Sequence, residues 1–176
     1  MSESVAAGDL PDHEHFTNLF HEHHPVVRRV VFRVVLDEQA TDDIVQTTFI
    51  KAYYKMHTFK GRSKISTWLC QIAYNEALTY RRKNARNPLS IEDVYAPEKT
   101  SKQASDSNIM TIEAYEEIST AMSDIPEHLR AAITLVVLEE VPVSEAAAIM
   151  DCNQATVYWR VHKARKLLKN KLKHLL

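Results

Sequence analysis

The sequence predicts an all-α protein made of two small helical domains joined by a flexible linker. Three observations support this fold class. Only 2 glycines occur in 176 residues, so tight hairpins and glycine-rich phosphate loops are not expected. Apolar residues recur at helical spacing through most of the chain, and no run alternates as a half-buried strand would. A polar segment interrupts these patterns near the middle of the chain.

The first predicted domain covers residues 11–86 and contains three helices. Apolar residues at spacings of three and four mark each of them: 16–36, from 41 to before 61, and 66–83. A bend is expected at Pro25, because proline removes a backbone donor from the interior of a helix. Thr41 is the expected N-cap of the second helix, and the carboxylates of Asp42 and Asp43 suit the positive end of that helix.

The segment 87–110 is polar, holds two prolines and lacks a helical stripe, so it is the predicted linker. The second domain is predicted over 111–176. Pro126 is expected at the start of a helix, and Pro142 after the end of the same helix. Asp151 occupies a turn position where left-handed backbone is expected. The predicted helices of this domain are Ile112–Met122, Glu127–Glu139, Ser144–Met150, and Gln154 to the end.

Positive charge is unevenly distributed along the chain, although the formal net charge is only −1. Between Cys152 and Leu176 there are seven Lys or Arg residues and no acid, and between Tyr80 and Arg86 there are four and no acid. Such blocks predict local contacts with a polyanion on a chain that is nearly neutral as a whole.

Several classes of protein are not favoured by the sequence. Cys70 and Cys152 lie far apart and are expected to be reduced thiols in a cytoplasmic protein. No apolar run approaches the roughly 18 residues of a membrane span, and the N-terminus lacks the features of a signal peptide, so no membrane partner is expected. No metal site is expected, because the N-terminal histidines have no accompanying cysteine or spaced second pair. No cofactor is expected either. No nucleophile–base arrangement suggests an enzyme.

The C-terminal segment has the proportions of a helix-turn-helix. Ala147 and Ala148 are small enough for two helices to cross closely, and Val157 and Val161 point inward at helical spacing. A basic and aromatic outward face can enter a major groove and contact both bases and phosphates. A solvated basic helix is the alternative. The residues predicted to face outward are Tyr158, Trp159, His162, Lys163 and Lys166.

A second group of residues combines positive charge with amide and aromatic side chains. These features suit single-stranded DNA, whose bases stack and whose phosphates need positive charge. Trp68 and Tyr53 are expected in the core, whereas Tyr74 and Tyr80 fit either the core or the binding surface. The group comprises the loop Phe59–Ser66, then Asn75, then Arg81, Arg82 and Lys83.

The order of these motifs resembles that of the extracytoplasmic-function sigma factors of bacterial RNA polymerase, a branch of the sigma-70 family. The motifs are DDIVQTTF, STWLCQIAYN followed by RR, a polar linker, and VHKARKLL near the C-terminus. The resemblance covers about Phe16 to Leu172. It implies an alternative sigma factor that binds the clamp of core polymerase and directs initiation from a specific promoter set. Its first domain would melt the −10 element, and its second, the helix-turn-helix domain, would read the −35 element as duplex.

The resemblance also implies roles for residues by their position. Clamp binding is implied for Asp42, Asp43, Gln46 and Thr47. Contact with the −10 element, including a loop that captures a flipped base, is implied for Gly61, Arg62, Ser63, Lys64, Asn75, Arg81 and Arg82. Contact with the −35 element is implied for Thr156, Tyr158, Trp159, Arg160, His162, Lys163 and Arg165, of which the two arginines are expected to contact phosphates.

The clamp-binding motif departs from the family pattern, which usually reads Asp-Ala-Glu-Asp-Leu-Val-Gln-Glu. Here Ala40 replaces the first Asp and Thr47 replaces the last Glu. Fewer charges weaken electrostatic complementarity with a basic clamp. Phosphothreonine carries a charge of about −1.5 to −2, so phosphorylation of Thr47 by a Ser/Thr protein kinase is predicted to activate the factor. Thr48 is a weaker candidate site, and a merely weaker clamp contact is the alternative.

The base-reading motif departs as well, because Tyr158 and Trp159 stand where many members have Arg or Lys and then Ser. A −35 sequence unlike the commonest one is therefore expected. The implied partners are core RNA polymerase, promoter DNA, a Ser/Thr protein kinase and an anti-sigma factor. Two other functions remain open: a helix-turn-helix regulator that acts without core polymerase, and a helical adaptor that binds no DNA, such as a kinase substrate scaffold or a metal-sensing module.

Overall fold

The computed structural model of the chain describes residues 12–86 and 117–173. Within these ranges all regular structure is helical, which confirms the all-α prediction. The predicted linker 87–110, the start of the helix predicted from Ile112, and residues 174–176 lie outside the described residues. The elements are α1 (His13–Val35), α2 (Glu38–Lys55), a 3-10 turn (Met56–Thr58), α3 (Ile65–Arg86), α4 (117–123), α5 (Glu127–Ile133), a π-helical turn (Thr134–Leu138), α6 (Val143–Ile149) and α7 (Gln154–Lys171).

The N-terminal half, residues 12–86, is a three-helix unit built around α1. Asp12 caps α1 by accepting a hydrogen bond from the backbone N–H of His15 at 3.3 Å. The helix ends at Leu36, whose φ of 58° is left-handed. Pro25 lies inside a helix that continues past it. Buried valines at spacings of three and four make one side of α1 the centre of the core.

The second helix begins three residues earlier than the sequence predicted. Its N-cap is Asp37, whose Oδ1 accepts a hydrogen bond from the backbone N–H of Ala40 at 2.8 Å. The prediction of Thr41 as the cap was wrong. Thr41 is fully buried one turn into the helix, where its hydroxyl donates to the carbonyl of Asp37 at 2.6 Å. Asp is as good a cap as Thr, and only the packing of the first turn decides between them.

The C-terminal half, residues 117–173, carries the predicted helix-turn-helix. Pro126 and Pro142 are the N-cap residues of α5 and α6. The turn between α6 and α7 contains Asp151 at φ 48°, which confirms the predicted left-handed residue. Asn153 caps α7 by accepting a hydrogen bond from the backbone N–H of Thr156 at 2.7 Å. The helix predicted over Glu127–Glu139 changes from α to π geometry after Ile133.

One apolar core extends through both halves. Val27 and Leu69 of the N-terminal half belong to the same buried cluster as Leu135, Ile149 and Val157 of the C-terminal half. The contact is made by α1 and α3 on one side and by α5, α6 and the π-helical turn on the other. The two predicted domains are therefore packed together here, which their sequence patterns did not indicate.

Candidate protein- and DNA-binding surfaces

The outer face of α2 combines acidic, polar and apolar side chains. Asp43, Thr47, Ile50 and Tyr54 follow one another at spacings of four, three and four, so they form one stripe. Ile50 and Tyr54 are 52% and 51% exposed, although both are large and apolar. Exposed apolar residues grouped beside charged ones are typical of a protein-binding surface. The ion pairs and side-chain hydrogen bonds between the two halves among the described residues involve α1, α3 and Lys64 just before α3, not this outer stripe of α2.

The predicted clamp-binding residues are all exposed on α2. Asp42 lies beside the stripe, and its Oδ1 accepts a hydrogen bond from Nε of Arg28 at 3.0 Å. Arg28 also pairs with Glu38. Gln46 is exposed next to Thr47. Asp43 forms no ion pair with another described residue, so its carboxylate is available to a partner.

The two adjacent threonines of α2 lie in opposite environments. Thr47 is exposed on the outer stripe. Thr48 is fully buried, and its hydroxyl donates to the carbonyl of Ile44 at 2.8 Å. Ala40, the other position that departs from the family pattern, is 6% exposed. Of these three residues, only Thr47 is accessible to an enzyme or to a protein partner.

The cationic loop before α3 is open to solvent. Gly61 has a φ of 66°, which L-residues other than glycine rarely adopt. Arg62, Ser63 and Lys64 follow it and are exposed. The loop therefore leads directly into the N-terminus of α3 with two positive side chains outward.

Along α3, the predicted −10 residues divide between two sides of the helix. Asn75 and Arg82 share an exposed face with Thr79, which bonds to both: its hydroxyl donates to the carbonyl of Asn75 at 2.8 Å and accepts from Nη2 of Arg82 at 3.2 Å. Arg81 lies on the side that faces the C-terminal half, where its Nε is 3.1 Å from Oε2 of Glu127. From the loop to Arg82 the surface is about 25 Å long at 1.5 Å per residue.

Lys64 also engages the C-terminal half. Its Nζ lies 3.0 Å from Oε1 of Glu145, and the other oxygen of that carboxylate accepts a hydrogen bond from the hydroxyl of Thr67 at 2.7 Å. The bond from Thr67 is the main reason that the pKa of Glu145 is below its ordinary value. Two of the seven predicted −10 residues, Lys64 and Arg81, are thus paired with carboxylates of the other half.

Two further contacts between the halves were not anticipated from the sequence. Arg29 donates both Nε and Nη2 to the carboxylate of Glu139, at 2.5 and 2.6 Å. Arg130 is 2% exposed, and it donates to the carbonyls of Arg33 and Val34 at the end of α1. Burial lowers the pKa of Arg130 to about 10. The residues of each pair are about a hundred positions apart, so no local pattern could have indicated them.

The ambiguous aromatic residue on α3 belongs to the core. Tyr74 is 4% exposed within the main cluster, and burial raises the pKa of its hydroxyl. Tyr80 is half-buried against the same cluster. Trp68 and Tyr53 are half-buried as well, and Trp68 contacts the ring of Phe59.

The outward face of α7 matches the predicted one. Tyr158 and Trp159 are 61% and 56% exposed, and His162, Lys163 and Arg165 are also exposed. No acidic residue occurs in α7. The face is therefore positive along its length and aromatic near its N-terminal end.

Two predicted −35 residues have other contacts. Arg160 is half-buried, with Nη1 at 3.6 Å from Sγ of Cys152 and 3.9 Å from Sδ of Met150, so it lies against α6 and the turn. This placement does not favour the phosphate contact expected of it. Thr156 donates its hydroxyl to Oδ1 of Asn153 at 2.8 Å and thus helps to cap α7.

Three further observations concern the cysteines, membrane-spanning helices and metal sites. Cys70 and Cys152 are both free cysteines. No helix among the described residues is long and apolar enough to cross a membrane. In the same ranges, no group of three or more His, Cys, Asp or Glu side chains is arranged to hold a metal ion.

Known proteins match both halves of the chain. Residues 19–87 match the family model Sigma-70 region 2, and residues 115–168 match Sigma-70, region 4. The ECF RNA polymerase sigma-E factor of Escherichia coli (strain K12) is 38% identical over 143 residues, which cover 76% of this chain and 74% of that protein. The sigma-E factor of Haemophilus influenzae is 33% identical over 143 residues, covering 76% and 75%.

Solved structures of similar fold extend the comparison to nearly the whole chain. The sigma factor RpoE of Bartonella quintana, crystallised with the anti-sigma factor NepR, superposes with a TM-score of 0.75 at 25% identity, covering 91% of this chain and 98% of that one. CnrH, solved with the cytosolic domain of CnrY, has a TM-score of 0.64 at 19% identity, covering 93% and 90%, which shows a common fold.

Proposed function

The chain belongs to the extracytoplasmic-function sigma factors of the sigma-70 family, and we propose that three of its surfaces divide the work of initiation. As an alternative sigma factor it binds core RNA polymerase and directs transcription from a specific promoter set. The outer stripe of α2 binds the polymerase clamp, the loop and exposed face of α3 bind the −10 element, and α7 reads the −35 element. RNA synthesis is the chemistry of the polymerase, and the protein works in the cytoplasm.

The observation that carries this assignment is the outer stripe of α2. Ile50 and Tyr54 are half-exposed there, although the same helix buries Val45 and Phe49 on its other side. Apolar side chains beside the carboxylate of Asp43 suit a partner whose surface is both basic and apolar, because such a partner covers the apolar side chains and neutralises the charge. A stripe suited to a protein partner favours a function that includes polymerase binding over one limited to binding duplex DNA.

Thr47 is the position at which this contact is regulated. It is exposed at the centre of the stripe, four residues after Asp43 and three before Ile50. A phosphate there adds a charge of about −1.5 to −2 and three acceptor oxygens at the site where a family carboxylate is missing. A Ser/Thr protein kinase therefore activates the factor by strengthening its contact with the clamp. Thr48 is not the modified residue, because its hydroxyl is buried and hydrogen-bonded.

Contact of all the predicted −10 residues with DNA at once is favoured when the two halves separate. Glu145 and Glu127 compete with DNA phosphates for Lys64 and Arg81. Asn75 and Arg82 are exposed without any change of arrangement. The arrangement described here is therefore a closed form, and binding to core polymerase and promoter favours an open one. An anti-sigma factor is a further partner, which would act by stabilising a form that cannot bind the polymerase.

Reconstituted transcription tests the function. Purified protein is mixed with core RNA polymerase and templates randomised over both promoter elements, and transcripts are sequenced. Transcripts that share −10 and −35 sequences, and that need both proteins, support the proposal. A helix-turn-helix regulator would bind duplex DNA but would neither co-purify with core polymerase nor yield such transcripts. A helical adaptor would show no salt-dependent DNA binding, which phosphate contacts always produce.

A further inference from the structure

The N-terminal end of α7 presents an apolar patch on a helix that is otherwise polar outside. Ala155, Tyr158 and Trp159 lie together there, because they are three and four residues apart. Tyr158 and Trp159 are more than half exposed, and their polar atoms make no hydrogen bond with any described residue. Single exposed aromatics are common on proteins, but two adjacent ones at the reading end of a DNA-binding helix need a partner.

Charge on the same face identifies that partner as duplex DNA. His162, Lys163 and Lys166 continue the exposed face one and two turns further on, and α7 has no acidic residue. The positive end suits phosphates, and the apolar end then lies against base edges. Ala155 is small, so it leaves room for a base pair to approach the two rings.

The chemistry of the major groove restricts which base the rings can cover. Every base pair presents hydrogen-bond donors or acceptors there, and thymine alone adds an apolar group, its C5 methyl. Tyr158 and Trp159 lack the paired donors with which arginine binds guanine and the amide with which asparagine binds adenine. The single hydroxyl of Tyr158 and the single N–H of Trp159 can replace at most one or two of those hydrogen bonds, so a ring over a purely polar edge would remove more bound water than it replaces, which is unfavourable.

From this face we infer that Tyr158 and Trp159 read the −35 element by covering thymine methyl groups of one or two neighbouring A·T pairs. This inference rests on the proposed function of α7. It replaces the guanine preference of an arginine at these positions with a preference for thymine. Lys163 and Lys166 contact phosphates and add affinity without choosing a base.

The experiment changes the DNA by one methyl group and leaves the protein intact. A promoter selected by reconstituted transcription with core polymerase is synthesised with deoxyuridine in place of each −35 thymine in turn. Deoxyuridine pairs as thymine does but lacks the C5 methyl. At the contacted positions we expect about fourfold less transcript per methyl removed, from the usual value of one buried carbon.

Variants of the two aromatic residues assign the effect to a ring. Trp159→Ala and Tyr158→Ala should each lose the discrimination between thymine and deoxyuridine at one position, because the methyl no longer has a ring to contact. Trp159→Phe and Tyr158→Phe keep a ring and should keep the discrimination.

Three outcomes would be decisive against the inference. Equal transcription from thymine and deoxyuridine templates would overturn it, as would selected promoters with guanine at the positions that the alanine variants affect. In both cases the sigma-factor function would stand, because transcripts are made. If no template in the library yields a polymerase-dependent transcript, the proposed function falls and the inference falls with it.

Discussion

Lys64 Nζ lies 3.0 Å from the Glu145 carboxylate, so a residue expected to contact the −10 element is paired with α6, the first helix of the helix-turn-helix. Glu145 also accepts a hydrogen bond from Thr67. In the proposed contact with the −10 element, a DNA phosphate and the Glu145 carboxylate would therefore compete for the same positive charge. The packing of the two halves against each other therefore affects whether Lys64 is available to bind DNA.

Removing the charge of Glu145 should favour the open form. In Glu145→Gln, Lys64 loses its partner, and we expect single-stranded −10 DNA to bind about two- to fivefold more tightly, the range of one exposed ion pair. Fluorescence anisotropy with a labelled −10 oligonucleotide measures this. Glu140→Gln removes the same charge from an exposed neighbour that has no ion pair among the described residues, and it should leave affinity unchanged. Equal affinities of wild type and Glu145→Gln would exclude the competition.

Glu145 should also contribute a pH-dependent part of stability. Its pKa is lower in the folded protein than its ordinary value of 4.5, chiefly because of the hydrogen bond from Thr67. The folded state therefore favours the ionised carboxylate. This contribution is fully present above about pH 4.5 and is lost as pH falls through the folded pKa. Urea unfolding of wild type and Glu145→Gln should give free energies that differ at pH 7 and converge at low pH, whereas a constant difference would contradict this assignment.

Arg130 should be a main determinant of the closed form. Its guanidinium is buried and bonds to carbonyls of both halves, including those of Ser123 and Ile125 at 2.8 and 2.9 Å. Arg130→Met leaves these carbonyls without a donor, and we expect unfolding to become easier by about 3 kcal/mol. Arg165→Met on the exposed side of α7 is the control and should change stability by less than about 0.5 kcal/mol. Similar urea midpoints for the two variants would refute this role.

A fixed charge at position 47 should strengthen polymerase binding. We expect Thr47→Glu to bind core polymerase about tenfold more tightly than wild type, which is the lower end of the effect of a close interfacial charge pair. Thr47→Ala should bind no better than the unmodified protein. Thr58→Glu places the same charge off the stripe and should have little effect. Affinities measured by titration of labelled protein with core polymerase would contradict the model if all four proteins bound alike.

The sequence predicted the positions of most helices, but it did not predict how the helices of the two halves pack against each other. Apolar spacing predicted α3 and α7 to within a few residues, because one face of each is buried over most of its length. The start of α2 was missed because Asp37 and Thr41 are both good caps, and only tertiary packing buries Thr41. The same limit applies to Tyr74, since an aromatic residue on an amphipathic helix fits a core and a binding surface equally well.

The contacts between the halves could not be read from the sequence at all. Arg29, Arg130 and Glu139 are charged residues in helices that have other exposed charges, and nothing local marks them as partners. Their pairing depends on how α1 packs against α5 and the π-helical turn. By contrast, the exposure of Thr47 was predictable, because helical spacing alone separates it from the buried row that contains Thr48.

Transcription by core polymerase with unmodified and Thr47-phosphorylated protein is the most direct test of the central claim, that a charge at Thr47 controls a sigma factor. The protein carrying phosphothreonine at position 47 should yield at least about tenfold more promoter-specific transcript than the unmodified protein. Equal transcript from the two forms, at protein concentrations that do not saturate the polymerase, would contradict it.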